Sequence, residues 1–68
     1  MKIKAFFDRE NKEHIVELPK GATVKELLAS LNINPVVVLV SKNNEILLES
    51  EELHDNDEIK LFSVISGG

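Results

Sequence analysis

Hydrophobic and polar positions alternate at both ends of the chain and change period in between. Over residues 1–7, MKIKAFF, Met1, Ile3, Ala5 and Phe7 fall on one side and Lys2, Lys4 and Phe6 on the other. That period of two predicts a strand. The polar run DRENKE follows, with Asp8 and Asn11 as turn formers. HIVEL then alternates again, Val16 and Leu18 on one side, Ile15 and Glu17 on the other. Two strands around a short polar connection predict a hairpin. Pro19 ends the second strand because it has no amide to offer a ladder, and Gly21 permits a tight turn.

At Thr23 the period lengthens. Val24, Leu27, Leu28 and Leu31 recur at i, i+3, i+4 and i+7, one apolar stripe of a helix with Lys25, Glu26 and Ser30 facing water. TVKE at its start is a capping-box sequence, in which the Thr23 hydroxyl and Glu26 carboxylate each take the other's amide. NINP stops the helix: Asn32 suits its C-terminal cap, and Pro35 keeps Asn34 from helical angles. VVVLV, residues 36–40, is apolar without a break and predicts a strand with both faces covered or one apolar face exposed. SKNNE is a turn, since Asn43 and Asn44 tolerate positive φ, and EILLE is a short strand. After the acidic connection SEELHDND, whose DND is itself a turn signal, EIKLFSV places Ile59 and Leu61 inward and Lys60, Phe62 and Val64 outward. The order is ββαβββ: an α+β domain with one helix on one mixed sheet, the pattern of a β-grasp. It occupies residues 1–68 as a single domain, with residues 65–68 as a flexible tail.

Composition narrows the chemistry. The 68 residues include no Cys, which removes disulfides, thiolate metal sites and a Cys nucleophile. With three aromatics, Phe6, Phe7 and Phe62, the core has to be aliphatic. The net charge of −4 and the scattered lysines argue against nucleic acid. No apolar leader follows Met1-Lys2 and no run reaches membrane-spanning length, so a cytoplasmic location is expected. The serines at 41, 50, 63 and 66 lack a histidine at a spacing that would make a nucleophile and base, and His14 and His54 lie far from any metal-ligand spacing. No glycine-rich phosphate loop is present. The Asp55–Glu58 carboxylates read as a solvated turn. The wider acidic run from Glu45 to Glu58 is either a solvated face or a means of steering toward a basic surface.

Four stretches carry a family likeness: the lysine-rich alternating first strand, LPKGATVKELLASL, VVVLVSKNNEI and DNDEIKLFSVISGG. Together with the terminal Gly67-Gly68, they resemble the ubiquitin-like sulfur carriers of the ThiS/MoaD type. The compact length is nearer the thiamine-pathway ThiS side than the small subunit of molybdopterin synthase. The family's usual Asn-Gly turn is Asn43-Asn44 here and its usual Gly between two aspartates is Asn56, and asparagine preserves positive φ there at small cost.

The resemblance implies a function for the tail. Two glycines end a chain by chance about once in two hundred, given their general frequency. In the family, the terminal carboxylate, here that of Gly68, is adenylated by a ubiquitin-activating-type adenylyltransferase that binds and uses ATP. It is then converted to a thiocarboxylate. In the tail, Ile65 and Ser66 form the arm and Gly67-Gly68 the tip, and the absence of Cβ at 67 and 68 lets a narrow channel close on the backbone. The carrier binds no cofactor and is not itself a catalyst. Its implied partners are that enzyme, a sulfurtransferase or cysteine desulfurase, and a sulfur acceptor such as thiazole synthase. Docking is expected on the sheet face away from the helix, through Phe62, Val64, Val37 and Leu39, with Phe6 joining them. Three other uses fit the same residues: a protein modifier conjugated through Gly68, the small subunit of molybdopterin synthase, and an interaction domain with an inert tail.

Overall fold

In the computed structural model, which describes residues 1–64, the chain runs through β1 (Lys2–Phe7), β2 (Lys12–Glu17), α1 (Val24–Ser30), β3 (Val38–Lys42), β4 (Glu45–Leu47) and β5 (Glu58–Ser63). The strands form one sheet in the order β2-β1-β5-β3-β4. β1 and β5 lie parallel at its centre, with Ala5 beside Ile59 and Phe7 beside Leu61, while the other neighbours are antiparallel. This is the β-grasp fold.

The alternation places the core. Ile3, Ala5, Val16, Val38, Val40, Ile59 and Leu61 line the sheet's inner face and are buried. Val24, Leu27 and Leu28 of α1 close over them, with Leu31 packed at the margin. Leu53, the lone apolar residue of the acidic connection, is as buried as any of these, and its amide donates to the Ala22 carbonyl at 2.8 Å.

The hairpin turn is tighter than the polar run predicts. Asp8–Glu10 form one 3-10 turn, Asn11 takes φ 51°, and its amide donates to the Asp8 carbonyl at 3.1 Å. The reversal is complete by Lys12, which pairs with Phe7, so β2 starts two residues earlier than HIVEL.

Both ends of α1 show how its backbone is satisfied. Thr23 holds the N-cap position in extended geometry, but its hydroxyl makes no capping bond. The predicted capping box is absent, and the acidic connection supplies acceptors for the two amides that precede Glu26. Val24 N–H donates to the Glu51 carbonyl and Lys25 N–H to the Glu49 carbonyl, both at 3.0 Å. At the other end Asn32 takes φ 58°; its amide donates to Ala29 O at 3.1 Å and that of Ile33 to Leu28 O at 2.9 Å, the paired bonds of a Schellman motif.

The VVVLV strand is also displaced. Pro35–Val37 form a second 3-10 turn, begun by Asn34, whose Oδ1 accepts from Val36 N–H at 3.0 Å. Proline fits the first position of such a turn. The strand therefore starts at Val38 and runs on through Ser41 and Lys42, so only Asn43 and Asn44 remain in the turn to β4. Both have positive φ, 52° and 67°, as a two-residue hairpin turn with right-handed twist requires. The turn before β5 is tied to the start of β1. Asn56, at φ 66°, donates its amide to Lys2 O, the Asp55 carboxylate takes Lys2 N–H, and Asp57 Oδ2 takes His54 N–H, each at 2.8 Å.

Candidate functional site

The helix covers one face of the sheet and leaves the other open. Strand alternation and register sort that open face into two regions. Across β2, β1 and the first half of β5, opposite charges face each other at Lys2 and Glu17 and at Lys4 and Glu58, with the exposed Ile15 on the other side of Lys4. Phe6 sits between Glu13 and Lys60 and is half-buried there. A groove of about 570 Å³ opens over this region, and its lining balances Lys4, Lys42 and Lys60 against Glu13, Asp57 and Glu58. Such a lining offers an anion no net attraction.

The second region is apolar. Phe62 of β5 pairs with Leu39 of β3, and Val64 follows Phe62 on the same side. Ser41 pairs with Ile46 and Val40 with Leu47, so Leu48, one step past β4, comes across from Leu39. The five side chains Val64, Phe62, Leu39, Leu48 and Ile46 are between 40% and 67% exposed. They run diagonally from the end of β5 to the edge strand. Ser41, buried on the same face, is the one polar residue set into it.

The structure thus brings Phe62, Leu39 and Val64 together and separates the other two predicted docking residues from them. Val37 is not outward-facing: it lies in the 3-10 turn, half-buried and packed on the core, because the strand begins only at Val38. Phe6 is on the open face but within the charged lattice. Val37 acts through its backbone instead. Its carbonyl accepts from Val64 N–H at 3.0 Å, which fixes the last described residue of the chain against the Asn34-capped turn. Ser66, Gly67 and Gly68 lie outside the described residues.

Ile46 and Leu48 were not among the predicted docking residues, and the local pattern points away from them. In EILLE they share one side while Leu47 stands between Glu45 and Glu49 on the other, and only the pairing with β3 turns Leu47 to the core. The histidines each face a carboxylate, His14 Nε2 at 3.0 Å from Glu10 Oε1 and His54 Nδ1 at 3.9 Å from Asp57 Oδ2. Among the described residues no cluster of His, Asp and Glu is gathered as a metal site, and no helix is long and apolar enough to cross a membrane.

Comparison with known proteins agrees with this architecture. The sulfur carrier protein TtuB of Thermus thermophilus is 34% identical over 59 residues, 87% of this chain and 88% of that one. SAMP1 from Haloferax volcanii superposes with a TM-score of 0.79 at 20% identity over the full length of both chains. The ubiquitin of Caldiarchaeum subterraneum superposes at 0.75 and 22% identity, over 100% of this chain and 98% of that one. These two structures share the fold. The ThiS family model matches residues 4–68, from the first strand through the two terminal glycines. The chain belongs to the ThiS family, the ubiquitin-like sulfur carriers.

Proposed function

We propose that this protein carries sulfur as a thiocarboxylate on Gly68, for thiazole formation in thiamine synthesis. The observation that carries the reading is the family match, which extends through Gly67-Gly68 to residue 68. A partner adenylyltransferase supplies the catalysis. A carboxylate oxygen of Gly68 attacks the α-phosphorus of ATP and pyrophosphate leaves. The acyl-adenylate is then attacked at its carbonyl carbon by sulfur, and AMP leaves. If the sulfur arrives as a persulfide from a sulfurtransferase or cysteine desulfurase, the first product is an acyl disulfide, which a thiol reduces to the thiocarboxylate. The carrier's own contribution is presentation. The Val64–Val37 hydrogen bond fixes the root of the arm beside Phe62 and Leu39, so a partner that grips this apolar surface receives the arm at a defined point.

The test is the intact mass of the protein after incubation with ATP, the activating enzyme from the same source and a sulfur donor. The wild type is expected to gain the mass of one sulfur-for-oxygen exchange. Gly68→Val keeps the fold and gains nothing. A wild type that never gains this mass overturns the reading. Conjugation to lysines of other proteins starts from the same adenylate; covalent ladders that disappear when Gly67 and Gly68 are deleted would identify that use.

A further inference from the structure

The last bond of the sheet depends on a residue outside it. β5 and β3 pair in register as far as Ser63 and Val38, and one more bond follows, from Val64 N–H to the Val37 carbonyl at 3.0 Å. By that register Val37 and Val64 stand directly opposite each other as a hydrogen-bonded pair, which in a continuing antiparallel ladder exchanges two bonds. The second bond is given up. Val37 N–H turns back to the Asn34 carbonyl at 3.1 Å, inside the 3-10 turn Pro35–Val37. The β3–β5 ladder therefore stops on a single bond, and the acceptor of that bond belongs to the turn.

The turn has little of its own to hold it. Hydrogen bonds of 3-10 geometry are poor, and a three-residue piece has few of them. Pro35 has no N–H, and Val37 N–H makes the turn's backbone bond. The remaining amide, that of Val36, donates to Asn34 Oδ1 at 3.0 Å. Asn34 thus accepts both amides of the turn, one on its carbonyl and one on its side chain. The residue is exposed, so what it contributes is these bonds and not packing. Its own backbone is steadied from the helix side: Ile33 N–H donates to Leu28 O of α1 at 2.9 Å, and Ile33 packs against the core. Dependence runs from the end of α1 through Asn34 and Val37 to Val64.

We propose that Asn34 is a positioning residue for the adenylation of Gly68. The inference rests on the function proposed above and names a residue outside the tail on which that function draws. The Asn34 side chain keeps the turn closed, the closed turn holds the Val37 carbonyl, and the carbonyl fixes Val64 as the root of the arm. When the turn opens, the root retreats to Ser63, and the arm gains one residue of extended chain, about 3.3 Å of slack. Slack at the root lowers the fraction of bound carriers whose carboxylate is aligned for attack on the α-phosphorus. Phe62 and Leu39 stay on paired strands whether the turn is open or closed, so the affinity of the carrier is unchanged.

The experiment has two readings. The first needs no enzyme: amide hydrogen exchange of the free protein, followed at Val64 by NMR. Asn34→Ala is expected to speed exchange at Val64 about fivefold, the factor that a lost cap bond puts on opening of the turn. The second is ATP–pyrophosphate exchange by the adenylyltransferase from the same source, followed against carrier concentration. There Asn34→Ala is expected to lower kcat about threefold at unchanged KM, the behaviour of lost alignment and not of lost binding. Asn34→Asp keeps a side-chain acceptor and restores both readings. Asn56→Ala, a comparable burden on the fold at the opposite end of β5, alters neither. A Val64 amide that exchanges no faster in Asn34→Ala overturns the inference and leaves the carrier function standing. So does an unchanged kcat in that variant, or an equal fall in Asn56→Ala, which would make the loss one of general stability. A wild type that supports no pyrophosphate exchange overturns both.

Discussion

All six asparagines stand where the backbone changes direction. Asn11, Asn32, Asn43, Asn44 and Asn56 have φ between 51° and 67°, and Asn34 caps the 3-10 turn before β3. Other L-residues enter the left-handed region at a cost of roughly 1–2 kcal/mol, and asparagine enters it more readily because its short amide can bond locally. The chain therefore places asparagine at five of its positive-φ positions. Asn56 isolates the effect, because its backbone amide, bonded to Lys2 O, survives any substitution except proline. Asn56→Ala is expected to cost about 1 kcal/mol, and Asn56→Gly to cost nothing. Urea unfolding checks this: the midpoint should move for alanine alone, at constant m-value.

At the scale of elements, local pattern was a good guide to what forms and a poorer one to where it starts. The strands at 1–7 and 58–64 and the helical stripe from Val24 are all legible, because each presents a single face to one core. Two errors share a cause. The capping box at Thr23 and the strand at Val36 were read from sequence neighbours, whereas the competing partners lie elsewhere in the chain or in a short local cap. Glu49 and Glu51 carbonyls take the Lys25 and Val24 amides, and the Asn34 side chain draws Val36 into a turn. A contrast follows. Thr23→Ala should change stability by less than about 0.5 kcal/mol, because no capping bond is lost, while Asn34→Ala should cost about 1 kcal/mol, the usual value of a bonded cap. Equal losses in thermal or chemical denaturation would contradict these assignments. Leu53 shows the same limit of local reading: one leucine in an acidic run has no period, and only the packing of the connection against α1 reveals it as core.

At the scale of the molecule, the family was legible in advance, through the four matching stretches and the terminal Gly67-Gly68. The shape of the candidate site was not. The separation of the open face into a charged lattice and an apolar diagonal depends on the order β2-β1-β5-β3-β4, which no stretch of sequence states locally. That order has a mechanical consequence. β1 and β5 are parallel neighbours at the centre, so the two ends of the described chain leave the sheet in opposite directions. Tension applied between them runs along the two strands and loads their ladder bonds together, in shear, before any strand can peel away. Pulling between residues 36 and 64 instead opens the β3–β5 pair from its end, where Val64 N–H meets Val37 O. Single-molecule extension should record a higher unfolding force for the end-to-end geometry than for the second, and equal forces would contradict the central parallel pairing. Load that enters the sheet at residue 64 is therefore borne best when the opposite anchor is the start of β1, and worst when it is the start of β3.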